Sequence, residues 1–138
     1  MKRILVADDE ETIRLLYTEE LSEEGYEILS CSKASAIMDL IEKEHPDLLI
    51  LDIRLGSDNV LDLLQEIKTK HSRIPVVLCS AYEGFKQDLR SAAADEFVIK
   101  GLSLAELKKK IRKLLDDKRS LKHKDEMNSL SNNQGIYE

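Results

Sequence analysis

The chain contains no tryptophan, and aromatic residues make up only 4% of its 138 residues. A core formed by this sequence must therefore be aliphatic, which suits buried parallel strands and the helices that cover them. The length is enough for one domain with a two- or three-layer core, and it is too short for a second domain of ordinary size.

Cysteine is also scarce, since only Cys31 and Cys79 are present. The two residues have no Cys-x-x-Cys spacing and no partner histidines nearby. They are therefore interpreted as small hydrophobic residues of the interior, and a metal or redox site built on them is not expected.

Long apolar runs are absent too. No segment approaches the roughly 20 apolar residues that a membrane-spanning helix needs, and the first residues contain too few apolar side chains for a signal peptide. We therefore expect a cytoplasmic protein with no membrane partner. The net charge of −6 argues against direct binding to nucleic acid, whose phosphates attract basic surfaces.

Short aliphatic segments alternate along the chain with segments of helical periodicity. No Asn-Gly hairpin turn separates the aliphatic segments, so the order predicts right-handed crossovers and a parallel sheet with helices on both faces. The predicted strands are 3–7, 26–31, 48–51, 74–79 and 96–99, and the predicted helices are 11–24, 33–44, 59–70, 85–94 and a last one that starts after the N-cap Ser103. Periodicity is lost from residue 118 onward, which predicts a domain over 1–117 and a frayed helix end with a disordered tail or linker over 118–138.

The segment 48–51 is apolar at all four positions and is followed directly by Asp52. It lacks the two-residue alternation of a half-solvated strand, so it predicts a strand covered on both faces. Asp52 then lies at the carboxyl end of that strand, where open α/β sheets bind ligands. A lone aspartate in such a turn usually caps backbone amides, so a nucleophile or metal ligand is indicated only if other polar residues join it.

Polar side chains do follow the other predicted strands. Asp8 and Asp9 come after the first strand, Ser80 after the fourth and Lys100 after the fifth. Three carboxylates at one edge repel one another, and an all-oxygen cluster suits a hard cation, Mg2+ before any soft metal. A hydroxyl and an ammonium opposite the ion complete a clamp for a phosphoryl group, and Asp52 becomes a nucleophile whose product is an acyl phosphate.

This set of residues, each at a strand end and in this order, resembles the receiver domain of bacterial two-component response regulators. The resemblance implies an α/β flavodoxin-like three-layer sandwich, with a five-stranded parallel sheet of order 2-1-3-4-5 and five helices. In that order Cys31 and Cys79 would lie three strand spacings apart, about 14 Å, and a disulfide, limited to about 7 Å between Cα atoms, is not expected.

The resemblance also implies a signalling switch with slow self-catalysed chemistry, not a turnover enzyme. Such a switch accepts a phosphoryl group on Asp52 from a histidine kinase or phosphotransfer protein in a Mg2+-dependent reaction, and then changes its binding to an output partner. For the metal, the resemblance implies that Asp9 is a direct ligand, that Asp8 acts mainly through water, and that Asp52 and the backbone carbonyl of Arg54 are further ligands.

For the phosphoryl group, the resemblance implies a hydrogen bond from Ser80 and an ion pair with Lys100. Phe97 is the aromatic residue expected to change rotamer on activation together with Ser80. Arg54 and Tyr82 occupy the two positions that control the approach of water in the family, and their bulk predicts a long-lived acyl phosphate.

The chain departs from the family pattern at a few places. The loop after Asp52 reads 56–60 Gly-Ser-Asp-Asn-Val instead of Pro-Gly-Met-Asp-Gly, and Gly101 follows Lys100 where the family usually has proline. A peptide bond that does not precede proline is about 2.5 to 4 kcal/mol less stable in the cis form than in the trans form. The Lys100–Gly101 bond is therefore predicted to be trans.

Two other classes of function also place an aspartate or a ligand at the carboxyl end of a strand. A pseudo-receiver or flavodoxin-like binding module would never take a phosphoryl group, and the intact set of acids argues against it. A phosphatase of the haloacid dehalogenase type needs an aspartate where this chain has Arg54, which excludes that class. The sequence leaves open the output partner, and whether the chain is a stand-alone receiver or part of a longer regulator.

Overall fold

The computed structural model of the protein describes residues 1–56, 58–81, 93–100 and 104–116. Most of the predicted helix 85–94 and the predicted tail lie outside these ranges. In chain order the elements are β1 (Arg3–Ala7), α1 (Glu11–Glu23), β2 (Glu27–Cys31), a 3-10 turn (Ala34–Ala36), α2 (Ile37–Glu44), β3 (Leu48–Asp52), β4 (Arg54–Leu55), β5 (Asp58–Asn59), α3 (Leu61–Lys70), β6 (Val76–Ser80), β7 (Glu96–Ile99) and α4 (104–116).

Five strands form a parallel sheet of order β2-β1-β3-β6-β7. This is the predicted order 2-1-3-4-5 once the antiparallel pair β4–β5 is left aside. All five residues of β3 are buried, as the apolar run predicts for a strand covered on both faces. Cys79 on β6 is buried as predicted, whereas the prediction is wrong for Cys31, which is only partly buried because β2 is an edge strand. Two strands lie between them, and the structure has both thiols free.

Each face of the sheet is covered by two of the described helices, because successive strand residues point to opposite sides. On one face the strands pack against α2 and α3 through Ile37, Ile41, Leu61, Leu64 and Ile67. On the other face they pack against α1 and α4 through Tyr17, Leu21, Leu107, Ile111 and Leu115. The result is the predicted three-layer sandwich, in which Tyr17 is the one aromatic side chain among the buried residues of the described ranges.

The three- and four-residue spacing of Ile13, Leu16, Tyr17 and Leu21 predicts that all four face inward along α1, and this prediction is wrong for Leu16. Leu16 is 41% exposed, whereas Tyr17 is 5% exposed. Successive helix residues are about 100° apart, so Leu16 points about 100° away from Tyr17, while Ile13 and Leu21 lie about 40° to either side of it. α1 ends near Gly25 as predicted, and the φ of 95° at that residue suits glycine.

α3 begins at Leu61, two residues later than predicted. The delay has a local cause, since Asp58–Asn59 pairs with Arg54–Leu55 as the ribbon β4–β5. The segment after Asp52, predicted to be a plain loop, is therefore held by strand-type hydrogen bonds. None of the helices in the described ranges is both long and apolar enough to cross a bilayer.

Candidate phosphoryl-acceptor site

The parallel register brings the predicted site residues to one edge of the sheet. β1 and β3 pair in a register that places Ala7 opposite Leu51. Asp8 and Asp52 therefore lie side by side at the carboxyl ends of the two strands. Ser80 is the last residue of β6, and Lys100 follows β7. The Lys100 N–H donates to the Ser80 carbonyl at 2.7 Å, which ties these two strand ends together.

Three of these side chains are deeply buried. Asp8 is 3% exposed, Asp52 5% and Ser80 0%, and no other polar or charged residue in the described ranges is classed as buried with them. Removing a carboxylate from water is costly unless a cation or hydrogen-bond donors compensate it. Two adjacent buried carboxylates therefore require a positive charge close by.

Lys100 provides that charge, and its side chain is only 12% exposed. Its Nζ lies 3.2 Å from Asp52 Oδ2, 3.2 Å from Asp8 Oδ2 and 2.6 Å from Glu10 Oε1. An ammonium group has three N–H donors, so its donors are shared among three carboxylates. One positive charge faces three negative charges, and the cluster keeps an excess of negative charge.

Burial, together with this excess of negative charge, shifts the pKa values of the cluster. Burial, and then the charge of Asp8, raise the pKa of Asp52 from 3.8 to about 6, although the Arg54 N–H and Lys100 act to lower it. Burial likewise raises the pKa of Asp8 above its usual value, against the Glu10 N–H and Lys100. Burial acts to lower the pKa of Lys100, but its hydrogen bond to Glu10 and the charges of Asp52 and Asp8 raise it overall. A further cation at this edge would relieve the repulsion between the acids.

Backbone N–H groups hold the acidic side chains in place. Glu10 N–H donates to Asp8 Oδ1 at 2.9 Å, and Arg54 N–H donates to Asp52 Oδ1 at 3.2 Å. Gly56 N–H donates to Asp9 Oδ2 at 3.1 Å, and its φ of 65° lies in the left-handed region that glycine adopts without strain. The unusual loop after Asp52 is therefore attached to the acids that it faces.

A cavity of about 190 Å3 opens at this edge. Five predicted site residues contribute to its lining: Asp9, Asp52, Arg54, Ser80 and Lys100. A ligand in this cavity would meet carboxylates, a hydroxyl and an ammonium together, which is the set of groups expected for a phosphoryl group and its metal ion.

The oxygen donors fit a hard divalent cation. Carboxylate oxygens of Asp8, Asp9 and Glu10 all lie within 4.8 Å of one another, and Mg2+ prefers such ligands. This group differs from the predicted ligand set, because it includes Glu10 and does not include Asp52, whose Oδ2 faces Lys100 instead. Sequence reasoning gave Glu10 no role. The available signal was its place directly after Asp8-Asp9 in a run of four acids.

Phe97 lies on β7 three residues before Lys100. It is partly buried against the face of the sheet that α2 and α3 cover, and its carbonyl accepts a hydrogen bond from Lys110 Nζ at 2.8 Å. Tyr82 and the Lys100–Gly101 peptide bond lie outside the described residues, so the predictions made for them stay predictions.

Residues 4–112 match the family model of the response regulator receiver domain. A curated relative, the probable transcriptional regulator ycf27 of Galdieria sulphuraria, is 34% identical over 116 residues, which are 83% of this chain and 45% of that protein. Sporulation initiation phosphotransferase F of Bacillus subtilis is 27% identical over 116 residues, 83% of this chain and 94% of that protein. The chain thus spans about half the length of the ycf27 regulators it matches, but most of the phosphotransferase.

Solved structures give a similar result. The response regulator TrrA of Thermotoga maritima, in complex with Mg2+-BeF, has 43% sequence identity and a TM-score of 0.78, over 83% of this chain and 99% of that one. The same regulator in complex with the histidine kinase ThkA has a TM-score of 0.77 at 43% identity, with the same coverage.

Proposed function

Because the chain belongs to the response regulator receiver domain family, we propose that it is a phosphorylation-controlled switch whose phosphoryl acceptor is Asp52. The observation that carries the proposal is the buried Asp52 at the carboxyl end of β3, 3.2 Å from the ammonium of Lys100. A carboxylate held beside a cation in a polar cavity can attack phosphorus, while the cation pairs with the negative charge that the phosphoryl oxygens carry.

Each residue of the site has a distinct part in this reaction. A carboxylate oxygen of Asp52 forms a bond to phosphorus as the bond from phosphorus to the donor breaks. The electron pair of the broken bond leaves with the donor, and Asp52 gives up its negative charge while the phosphoryl oxygens keep theirs. Lys100 pairs with one of these oxygens, and the Ser80 hydroxyl donates a hydrogen bond to another. Ser80 and Phe97 then carry the change to the surface that an output partner recognises.

The acidic residues fit Mg2+, and we assign the ion to Asp8, Asp9, Asp52 and the carbonyl of Arg54, with Glu10 close by. When bound, the ion would neutralise part of the negative charge of the acids and of the phosphoryl group. The complex of TrrA with Mg2+-BeF supports this assignment. Arg54, and Tyr82 beyond the described residues, would limit the approach of water to the acyl phosphate.

The phosphoryl donor is a histidine kinase or a phosphotransfer protein. TrrA forms a complex with the histidine kinase ThkA, and the relative from Bacillus subtilis is a phosphotransferase, which supports this class of partner. The ycf27 relatives are transcriptional regulators about twice as long as the matched segment, so output by a further domain or by a separate partner is consistent with them. The net charge of −6 over the whole chain argues against direct binding to nucleic acid.

The proposal is tested by incubating the protein with acetyl phosphate and Mg2+ and measuring its intact mass. We expect the mass of one phosphoryl group to be added, and none to be added to Asp52→Asn or in the presence of a chelator. Asp39→Asn is the matched control, because Asp39 is an exposed acid on α2 that pairs with Lys43. It should be labelled like the wild type, and full labelling of Asp52→Asn would contradict the proposal.

A further inference from the structure

Glu10 makes the shortest of the contacts that Lys100 forms with acids. The Lys100 Nζ lies 2.6 Å from Glu10 Oε1, against 3.2 Å for Asp8 and for Asp52. The Glu10 side chain is half-exposed, whereas those of Asp8 and Asp52 are buried. The ammonium is therefore held between two acids at the floor of the site and one acid at its mouth.

The backbone of Glu10 is well fixed. Its N–H donates to Asp8 Oδ1 at 2.9 Å. Its carbonyl accepts from the N–H groups of Ile13 and Arg14, both at 3.1 Å, because Glu10 is the residue that precedes the first turn of α1. A carboxylate that projects from this fixed backbone can hold the flexible side chain of Lys100 in place.

Lys100 needs such a support. A lysine side chain has four rotatable carbon–carbon and carbon–nitrogen bonds, and confining it costs conformational entropy. In the proposed reaction Asp52 loses its negative charge when it becomes the acyl phosphate, and Asp8 would help to hold the metal ion, so these two contacts change. The contact with Glu10 does not take part in the transfer and can persist through it.

We propose that Glu10 is a positioning residue that holds the ammonium of Lys100 beside Asp52 while phosphoryl transfer occurs. The inference rests on the proposed function and adds a residue to it. Glu10 acts through Lys100, and the loss of Glu10 leaves Lys100 present but less ordered.

The matched control is Glu11, the next residue along the chain. Glu11 is exposed, opens α1 and has the same charge, and the structure shows no ion pair from it to Lys100. Glu11→Gln therefore reports the effect of removing one negative charge at this end of α1. Glu10→Gln keeps a hydrogen-bond acceptor but loses the charge, and Glu10→Ala loses both.

The experiment measures the rate of phosphorylation by acetyl phosphate as a function of Mg2+ concentration. A half-exposed ion pair supports an effect of about three- to fivefold. We expect the rate at saturating Mg2+ to fall by about that factor in Glu10→Ala and by less in Glu10→Gln, with Glu11→Gln unchanged. The Mg2+ concentration at half-maximal rate should stay near that of the wild type. A rise in that concentration with an unchanged maximal rate would overturn the proposal and make Glu10 a metal ligand.

Two further readouts test whether the effect passes through Lys100. In the Lys100→Met background, adding Glu10→Ala should have no further effect on the rate, and a full additional loss would contradict the proposal. NMR relaxation of the Lys100 side chain should show lower order in Glu10→Ala than in the wild type, and unchanged order would also contradict it.

If the wild type is not phosphorylated on Asp52, the proposed function has failed. If it is phosphorylated and the Glu10 variants behave like Glu11→Gln, only the positioning role has failed.

Discussion

The two edges of the central sheet pair their acidic and basic side chains differently. At the amino edge, Asp95 Oδ2 accepts from Val76 N–H at 2.7 Å and from Lys68 Nζ at 3.0 Å, and Lys68 also donates to the Ile74 carbonyl at 2.8 Å. In this group one acid faces one cation and one N–H group, and at the amino end of β1 Arg3 pairs with two half-exposed acids, Glu27 and Glu44. At the carboxyl edge three acids share the single ammonium of Lys100.

This difference separates the part of the fold that provides stability from the part that provides chemistry. The hydrogen bonds of the amino edge satisfy the Val76 N–H and the Ile74 carbonyl, and removing the side chain that pairs with either group leaves that group without this partner. The acids of the carboxyl edge are held close together against their mutual repulsion, so the protein is more stable if one of them becomes neutral. The carboxyl edge is therefore prepared for a ligand that brings positive charge.

The largest expected effect is that of Asp52→Asn on stability. The pKa of Asp52 is about 6 instead of 3.8, and about two pKa units correspond to about 3 kcal/mol. The folded protein binds this proton more tightly than the unfolded chain, so the contribution of Asp52 to stability is fully present below about pH 4 and is lost as the pH rises through 6. Asp52→Asn should be about 3 kcal/mol more stable to urea at pH 7 without Mg2+, and the two proteins should converge near pH 4. A less stable variant at pH 7 would contradict the comparison of the edges.

At the amino edge, removing an acid is expected to lower the stability of the protein instead of raising it. Asp95→Ala leaves the N–H of the fully buried Val76 without its acceptor, and a loss of about 2 kcal/mol is expected in urea unfolding. Its phosphorylation by acetyl phosphate should match that of the wild type. Glu66→Ala, which removes an exposed partner of Lys70, is the control and should change stability by less than about 0.5 kcal/mol. If Asp95→Ala were as stable as this control, the amino edge would not have the stabilising role assigned to it.

Mg2+ should stabilise the wild type through the carboxyl edge. A ligand present at ten times its dissociation constant adds about 1.4 kcal/mol to the free energy of unfolding. The gain should be lost in Asp9→Ala, measured by thermal unfolding with and without Mg2+, and kept in Asp39→Ala. Equal stabilisation of Asp9→Ala and the wild type would show that the ion binds elsewhere.

The smallest expected effect concerns the lifetime of the acyl phosphate. Arg54→Ala should shorten it a few-fold, because water then reaches the phosphorus more easily, and the decay is followed by intact mass after the phosphoryl donor is removed. Arg73→Ala removes an exposed arginine from the amino side of β6 and should leave the lifetime unchanged. A longer lifetime in Arg54→Ala would mean that Arg54 does not shield the phosphorus.

The sequence predicts the fold well where an apolar segment can be buried in only one kind of structure. The apolar run before Asp52 fits only a strand covered on both faces, and strand ends in a parallel sheet meet at one edge, so Asp8, Asp52 and Lys100 could be placed together without coordinates. The three- and four-residue spacing of apolar residues misplaced Leu16, because Leu16 lies about a quarter turn from the centre of the buried stripe of α1.

The finer features of the site depend on geometry that no spacing rule contains. The ribbon β4–β5 arises from the turn at Gly56, whose φ of 65° is set by the folded loop. Residues 8 to 11 are all acids, and the choice of Glu10 as the partner of Lys100 depends on how the turn into α1 directs each side chain.

The most direct test of the account is to locate the phosphoryl group after labelling with acetyl phosphate and Mg2+. The acyl phosphate is reduced with borohydride, and the protein is digested and sequenced by tandem mass spectrometry. The account predicts one modified residue, Asp52, at the buried carboxyl end of β3. Modification of Asp8 or Asp9 with Asp52 intact would contradict it.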